Sequence, residues 1–232
     1  MDGFADLRAE VLAANLALPA HGLVTLTWGN ASGIDRERGV IAIKPSGVGY
    51  DTLSAGDLVI VDLTGRVLEG ARRPSTDTPT HLALYRAFPE IGGVVHTHST
   101  WATVWAQAGE EIPLLGTTHA DLSAHPIPVT RPLTVAEVAG DYEAATGTAL
   151  TETIATVGPA ALPCALVRGH APFCWGDRVG AAVEHAVALE QVAQMALFTR
   201  LLSDGMPPAL EEHVRVKHHT RKHGPAAYYG QG

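Results

Sequence analysis

Val94-Val95-His96-Thr97-His98 sets two imidazoles two residues apart in a run rich in β-branched residues. In a strand, alternate side chains share a face, so His96 and His98 point to the same side. Imidazole nitrogens hold Zn²⁺ at about 2.0–2.1 Å. The same pair also describes two hydrogen-bonded surface histidines. His170 shifts the balance. It ends a strand and opens Gly169-His170-Ala171-Pro172-Phe173-Cys174-Trp175-Gly176, a loop in which a third ligand can turn toward the pair. Three protein ligands with one open position are the common set of a catalytic zinc. Asp77 is a candidate fourth, carboxylate ligand, or else a residue interacting with free amides where a helix begins. N/O ligation suits Zn²⁺ and also admits Mn²⁺ or Co²⁺. The chain carries 12 histidines against 2 cysteines, so imidazole is the side chain to follow.

Three short segments have the makings of an anion cradle. Trp28-Gly29-Asn30 offers glycine and an amide; Lys44-Pro45-Ser46-Gly47 sets the only lysine of the first 200 residues beside a hydroxyl and a flexible glycine. Ser75-Thr76 places two hydroxyls at a helix start, where amides and the macrodipole favour phosphate. Turns use the same residues. Together the three suit a small phosphorylated molecule, and no GxGxxG or GxxxxGK[ST] is present for a nucleotide. Asp121, in Thr117-Thr118-His119-Ala120-Asp121, is either a general acid/base or a turn residue. Tyr229, in Tyr228-Tyr229, either fills a surface gap or moves a proton beside a metal.

The elements that must hold these residues follow from periodicity. Phe4, Leu7, Val11, Ala14 and Leu18 have helical spacing, predicting a helix over 4–18. Strands are expected at 23–28, 40–45 and 58–63, with Thr64-Gly65 turning into a hairpin arm at 66–68. A helix is expected from Ser75–Pro79 to about Phe88, a strand at 91–98, and a helix capped by Ser99 to about Ala108. A short strand at 127–129, a helix from Thr134 to about Thr146 and a strand at 165–170 come next. A long helix over 178–202 and a last one to about His223 complete the series. This order fits one α/β domain with a central mixed sheet covered by helices better than two domains.

Composition sets the limits. The 232 residues are 46% hydrophobic and 17% charged, an ordinary globular mixture. The net charge of −8 divides into +4 over 213–232 and −12 over the rest, which argues against non-specific nucleic-acid binding. The basic tail is more ordinary as a solvated helix face, or docked on an acidic neighbour, than as a polyanion site. Cys164 and Cys174 lack CxxC spacing, Asp2 and Asp6 stand where a signal peptide wants positive charge, and no apolar run is long enough to span a membrane. The expectation is a soluble, cytoplasmic protein.

NLALPAHGLVTLTWGNASGIDRERGV, IKPSGVGY, PSTDTPTHLALYRAFPEIGGVVHTHS, GTTHADL and RKHGPAAYYGQ resemble the class II aldolase/epimerase family, whose head domain also occurs in adducin, and in particular its pentulose-phosphate 4-epimerases. The resemblance runs from Leu7 to Gln231. It implies a single domain over 1–232, α/β with a central, largely antiparallel sheet flanked by helices. It further implies a C4 homotetramer with active sites between subunits, the tail 213–232 contributing to an interface site. It implies one zinc per subunit on His96, His98 and His170, with Asp77 a further ligand, and a sugar phosphate on Gly29, Asn30, Ser46, Gly47, Ser75 and Thr76. Asp121 and Tyr229 become the proton-transfer pair, the tyrosine from a neighbouring subunit. The activity implied is interconversion of L-ribulose 5-phosphate and D-xylulose 5-phosphate. C4 is not α to the carbonyl, so inversion there proceeds by C3–C4 cleavage, rotation of the aldehyde and re-addition. The family's aldolases carry Glu where this chain has Asp77. Three positions depart from the pattern: Thr76 for serine, Ala171 for glycine and Leu122 for an aromatic.

Overall fold

The computed structural model describes residues 3–223 and 227–229. Its first helix, α1 (Ala5–Ala20), buries Val11, Ala14 and Leu18, the stripe its spacing predicts. Asn15 is buried on the same side and fully used. Its Nδ2 donates to the carbonyls of Val11 and Ala31 at 2.8 and 3.0 Å, and its Oδ1 accepts from Ala31 N at 2.9 Å. That amide ties α1 to the first strand, β1 (Asn30–Asp35).

Next come β2 (Val40–Ile43), β3 (Val59–Asp62) and β4 (Val67–Glu69), followed by α2 (Thr78–Ala87), β5 (Gly93–His96) and α3 (Thr100–Ala108). Then come α4 (Thr117–Leu122), α5 (Val135–Ala139), α6 (Tyr142–Ile154), β6 (Cys164–Leu166), β7 (Pro172–Gly176), α7 (Val179–Leu202) and α8 (Glu212–Lys222). The sheet order is β4-β3-β2-β1-β5-β7-β6. Every ladder in it is antiparallel, so the mixed sheet read from element order gives way to the antiparallel one the family resemblance implies. The parallel pairing observed is an isolated bridge, Val129 to Leu166.

β1 lies at the centre and explains the layering. Its sequence, NASGID, is poor in β-branched residues. It is a strand because β2 and β5 pair with it on either side, and tertiary pairing overrides weak propensity. Its small residues let helices approach both faces: Ser32 meets His81 and Tyr85 of α2. A Cβ added to Gly33 would lie 2.9 Å from Val11 of α1. α7 crosses the sheet on the α1 side, against β1, β5 and β7.

The structure revises four expected elements. Residues 23–28 form turns, not a strand: Leu26 has φ 55° and Trp28 N bonds back to Thr25 O. The apolar alternation there has no neighbouring strand to pair with. At 127–129 only isolated bridges form. The helix expected over 134–146 is two, broken at Gly140. Thr134 and Glu137 form a capping box that starts α5, and Asp141 caps α6 by accepting from Ala144 N. The strand expected at 165–170 ends at Leu166, and 172–176 is a further strand hidden by its proline.

Candidate active site

β5 stops at His96, so Thr97 and His98 already belong to the turn into α3. The two imidazoles nevertheless converge. His96 Nε2 lies 3.2 Å from His98 Nε2, and His170 Nε2 lies 3.3 Å from the same atom. His170 reaches them from the turn between β6 and β7. It is the only such group of three or more His, Cys, Asp or Glu among the described residues, its ligand atoms all within 4.8 Å of one another.

The chemistry of this donor set fits a divalent cation. His96 Nδ1 lies 3.0 Å from the Pro172 carbonyl, which can only accept, so the ring proton is on Nδ1 and Nε2 offers its lone pair. Phe173 stacks on His96 at 4.2 Å and fixes the ring plane. Burial, then the neighbouring His96 and His98, push His170 down to about 4; burial and His96 lower His98 as well. The Nδ1 of His170 is buried without a partner among the described residues. Tetrahedral ligation at about 2.0–2.1 Å implies donor separations of about 3.3–3.4 Å, close to the two observed here.

Asp77 is the N-cap of α2, but its side chain makes no capping bond. The carboxylate turns inward. Its Oδ2 accepts from Asn30 Nδ2 at 2.6 Å and from Ser75 Oγ at 3.3 Å. Burial raises its pKa, but the neighbouring His96 and His81, the Asn30 bond and the nearby His170 together hold it below the usual carboxylate value. Asp77 stands beside the three imidazoles, outside the group itself.

One cleft of about 520 Å³ is lined by Gly29, Asn30, Ser46, Gly47, Ser75, Thr76 and Asp77 together with His96, His98 and His170. Lys44 lines it too. The segments are tied by backbone: Ser75 N donates to Lys44 O and Ser46 N to Arg73 O, both at 3.1 Å. Gly29 is required on two counts. Its φ is +75°, and a Cβ would lie 2.8 Å from His96 O. The Tyr50 hydroxyl clamps the carbonyls of Trp28 and Gly29 at 2.9 and 2.8 Å. The Lys44 ammonium is buried, donates to Thr27 O at 3.2 Å and sits 4.7 Å over the Tyr50 ring.

Asp121 and Tyr229 do not line this cleft. They meet at another corner, where α4 packs on α8. Arg221 binds Asp121 through Nε at 3.0 Å and Nη2 at 2.5 Å, and His218 Nδ1 lies 3.2 Å away. Burial raises the Asp121 pKa, but the Arg221 and His218 bonds and the Lys222 and Arg221 charges outweigh it, leaving a carboxylate below its usual range. The Tyr229 ring stands 4.5 Å from the Arg221 guanidinium and is exposed.

Residues 9–197 match the model of the class II aldolase and adducin N-terminal domain. The chain belongs to that family. It is 54% identical over 225 residues to the L-ribulose-5-phosphate 4-epimerase UlaF of Salmonella paratyphi A, covering 97% of this chain and 98% of the relative. It matches the protein of the same name in Salmonella typhi equally well. Among solved structures, an L-fuculose 1-phosphate aldolase superposes with a TM-score of 0.78 at 23% identity, covering 94% of this chain and 96% of that one. The L-fuculose-1-phosphate aldolase of Thermus thermophilus gives 0.67 at 28%, covering 89% and 100%. These place the fold within the class II aldolase family. No helix among the described residues is long and apolar enough to cross a membrane.

Two cleft residues of this class II aldolase domain escape sequence reading. Tyr142 and Glu143 line the cleft from the start of α6, the Tyr142 ring 6.3 Å from His170. The signal was Asp141 after Gly140, a cap following a breaker, which a single helix over 134–146 conceals.

Proposed function

We propose that this chain is a zinc-dependent epimerase that interconverts L-ribulose 5-phosphate and D-xylulose 5-phosphate, by cleaving C3–C4, rotating the aldehyde and re-forming the bond. The observation that carries the reading is one cleft holding both a three-imidazole donor set and a cluster of hydroxyls, an amide and a buried ammonium suited to phosphate. The 54% identity to a named 4-epimerase supplies the choice of reaction within the family. Asp77 supports it, being an aspartate where the aldolases carry glutamate.

In this reading His96, His98 and His170 hold the metal, with Asp77 beside them as a further ligand. A divalent cation there supplies Lewis-acid polarisation of substrate oxygens. Ser46, Gly47, Ser75 and Thr76, with Gly29 and Asn30, hold the phosphate of the aldehyde fragment while its carbonyl turns. Lys44 offsets phosphate charge in an acidic body. Inversion needs proton transfer on each face. Asp121, kept ionised by Arg221, is suited to one face as base, and the Tyr229 hydroxyl to the other. Neither lines the cleft of its own chain, which supports a homotetramer whose neighbouring subunit completes each site. The single domain over 1–232, with 213–232 serving a neighbour, belongs to the same proposal, as does a place in the cytoplasm.

The deciding experiment follows L-ribulose 5-phosphate with and without a chelator, while assaying free aldehyde. The expected outcome is D-xylulose 5-phosphate without released aldehyde, abolished by chelation and restored by Zn²⁺. Chelator-insensitive turnover overturns the metal assignment, and accumulating aldehyde makes the chain an aldolase.

A further inference from the structure

The turn that carries His98 is bounded on one side by β5, whose last residue His96 is paired to Asn30 and Phe173. On the other side it runs at once into α3. A helix start leaves its first amides without partners, usually met by the N-cap side chain. Here Ser99 is the N-cap and makes no such bond. The partners come from α7 instead. Glu190 reaches across with both oxygens, Oε1 accepting from Trp101 N at 2.8 Å and Oε2 from Ala102 N at 3.0 Å. One turn further along, Trp105 Nε1 donates to Ala193 O at 3.0 Å, so α3 is clipped to α7 twice.

Glu190 is an expensive choice for that place. It is 8% exposed, on a helix face whose other members are Ala186, Leu189 and Ala193. A buried carboxylate is costly unless it is fully hydrogen-bonded, and an apolar side chain often serves stability as well. What a carboxylate adds is a fixed direction. Two charge-assisted bonds at the positive end of a helix hold the turn in one place. His98 needs such support more than His96 does. His96 is held through Nδ1 and by stacking on Phe173, whereas no hydrogen bond anchors Nδ1 of His98 among the described residues.

We propose that Glu190 is a positioning residue for the metal site, fixing the first turn of α3 and through it the backbone of His98. This rests on the reading of His96, His98 and His170 as metal ligands. The test titrates metal-free wild type and Glu190→Gln with Co²⁺ and Zn²⁺ against a competing chelator, and records the visible absorption of the Co²⁺ forms. Glutamine keeps the length but offers one acceptor oxygen where two amides need one each. The expected result is zinc binding weakened about 10–100-fold and an altered Co²⁺ spectrum, with helix content by circular dichroism unchanged. Unchanged affinity and spectrum overturn the inference, even where thermal stability falls, because Glu190 is then only a helix cap. If Glu190→Gln does not fold, Glu190→Asp, which keeps the charge on a shorter arm, is decided by the same two results. A wild type that takes up neither metal overturns the ligand assignment itself, and this inference with it.

Discussion

Burial holds several histidines of this chain as neutral imidazoles. It pushes His81, which is also near His96, down to about 3, and His119 down to about 4; burial with the nearby His96 and His98 does the same to His170. An unfolded histidine titrates near 6.5, so between that pH and about 4 the unfolded chain binds protons that the folded one refuses. Stability is therefore full above about pH 6.5 and falls as the pH drops toward 4, each such group contributing up to about 1.4 kcal/mol per pH unit. Denaturant titrations of metal-free protein at several pH values check this slope, and His119→Gln should flatten it. Gly29→Ala tests geometry at the same scale. The left-handed backbone and the approach to His96 O predict a loss of about 1–3 kcal/mol, with weakened substrate binding, measured by denaturation and KM.

At the scale of elements, the packing of α4 on α8 brings the two proposed proton carriers onto one arginine. Asp121→Asn and Tyr229→Phe are each expected to lower kcat about 10²–10⁴-fold, with stoichiometric metal retained because neither residue belongs to the imidazole group. Wild-type turnover in either variant removes that residue from the mechanism. What could be read in advance divides along the same line. His96 and His98 were legible as a pair from their spacing, although the strand ends at His96 and the backbone that brings His98 back to it was not. Residues 40–43 and 59–62 were legible as β-branched runs. β1 was not, because NASGID becomes a strand only through its neighbours, and neither was β7, which begins on a proline. The inward turn of Asp77 was equally hidden: a cap position is visible in sequence, but the Asn30 that draws the side chain away lies 47 residues back. Glu190, in an otherwise apolar helical stripe, gave no sign of the helix start it would meet.

At the scale of the molecule, one chain holds all the proposed groups but keeps them in two places, the imidazole cleft and the α4–α8 corner. The C-terminal part of α7 and the loop after it expose Met195, Phe198, Leu201, Leu202 and Met206. Large apolar side chains clustered on a surface mark a contact site, and cyclic assembly brings one surface of each copy against a different surface of the next. If each site takes its metal cleft from one subunit and its tyrosine from a neighbour, two dead variants can repair each other. His96→Asn keeps a working tyrosine with a ruined cleft; Tyr229→Phe keeps the cleft without the hydroxyl. Mixed in equal amounts, dissociated and reassembled at random, they form sites that draw cleft and tyrosine independently. About one quarter of the sites then carry both working parts, and activity should recover to about that fraction of wild type. Each variant alone stays inactive through the same treatment. If cleft and tyrosine came from a single chain, every site would keep one defect and mixing would restore nothing, so the recovered activity decides between a self-sufficient subunit and one whose tail serves its neighbour.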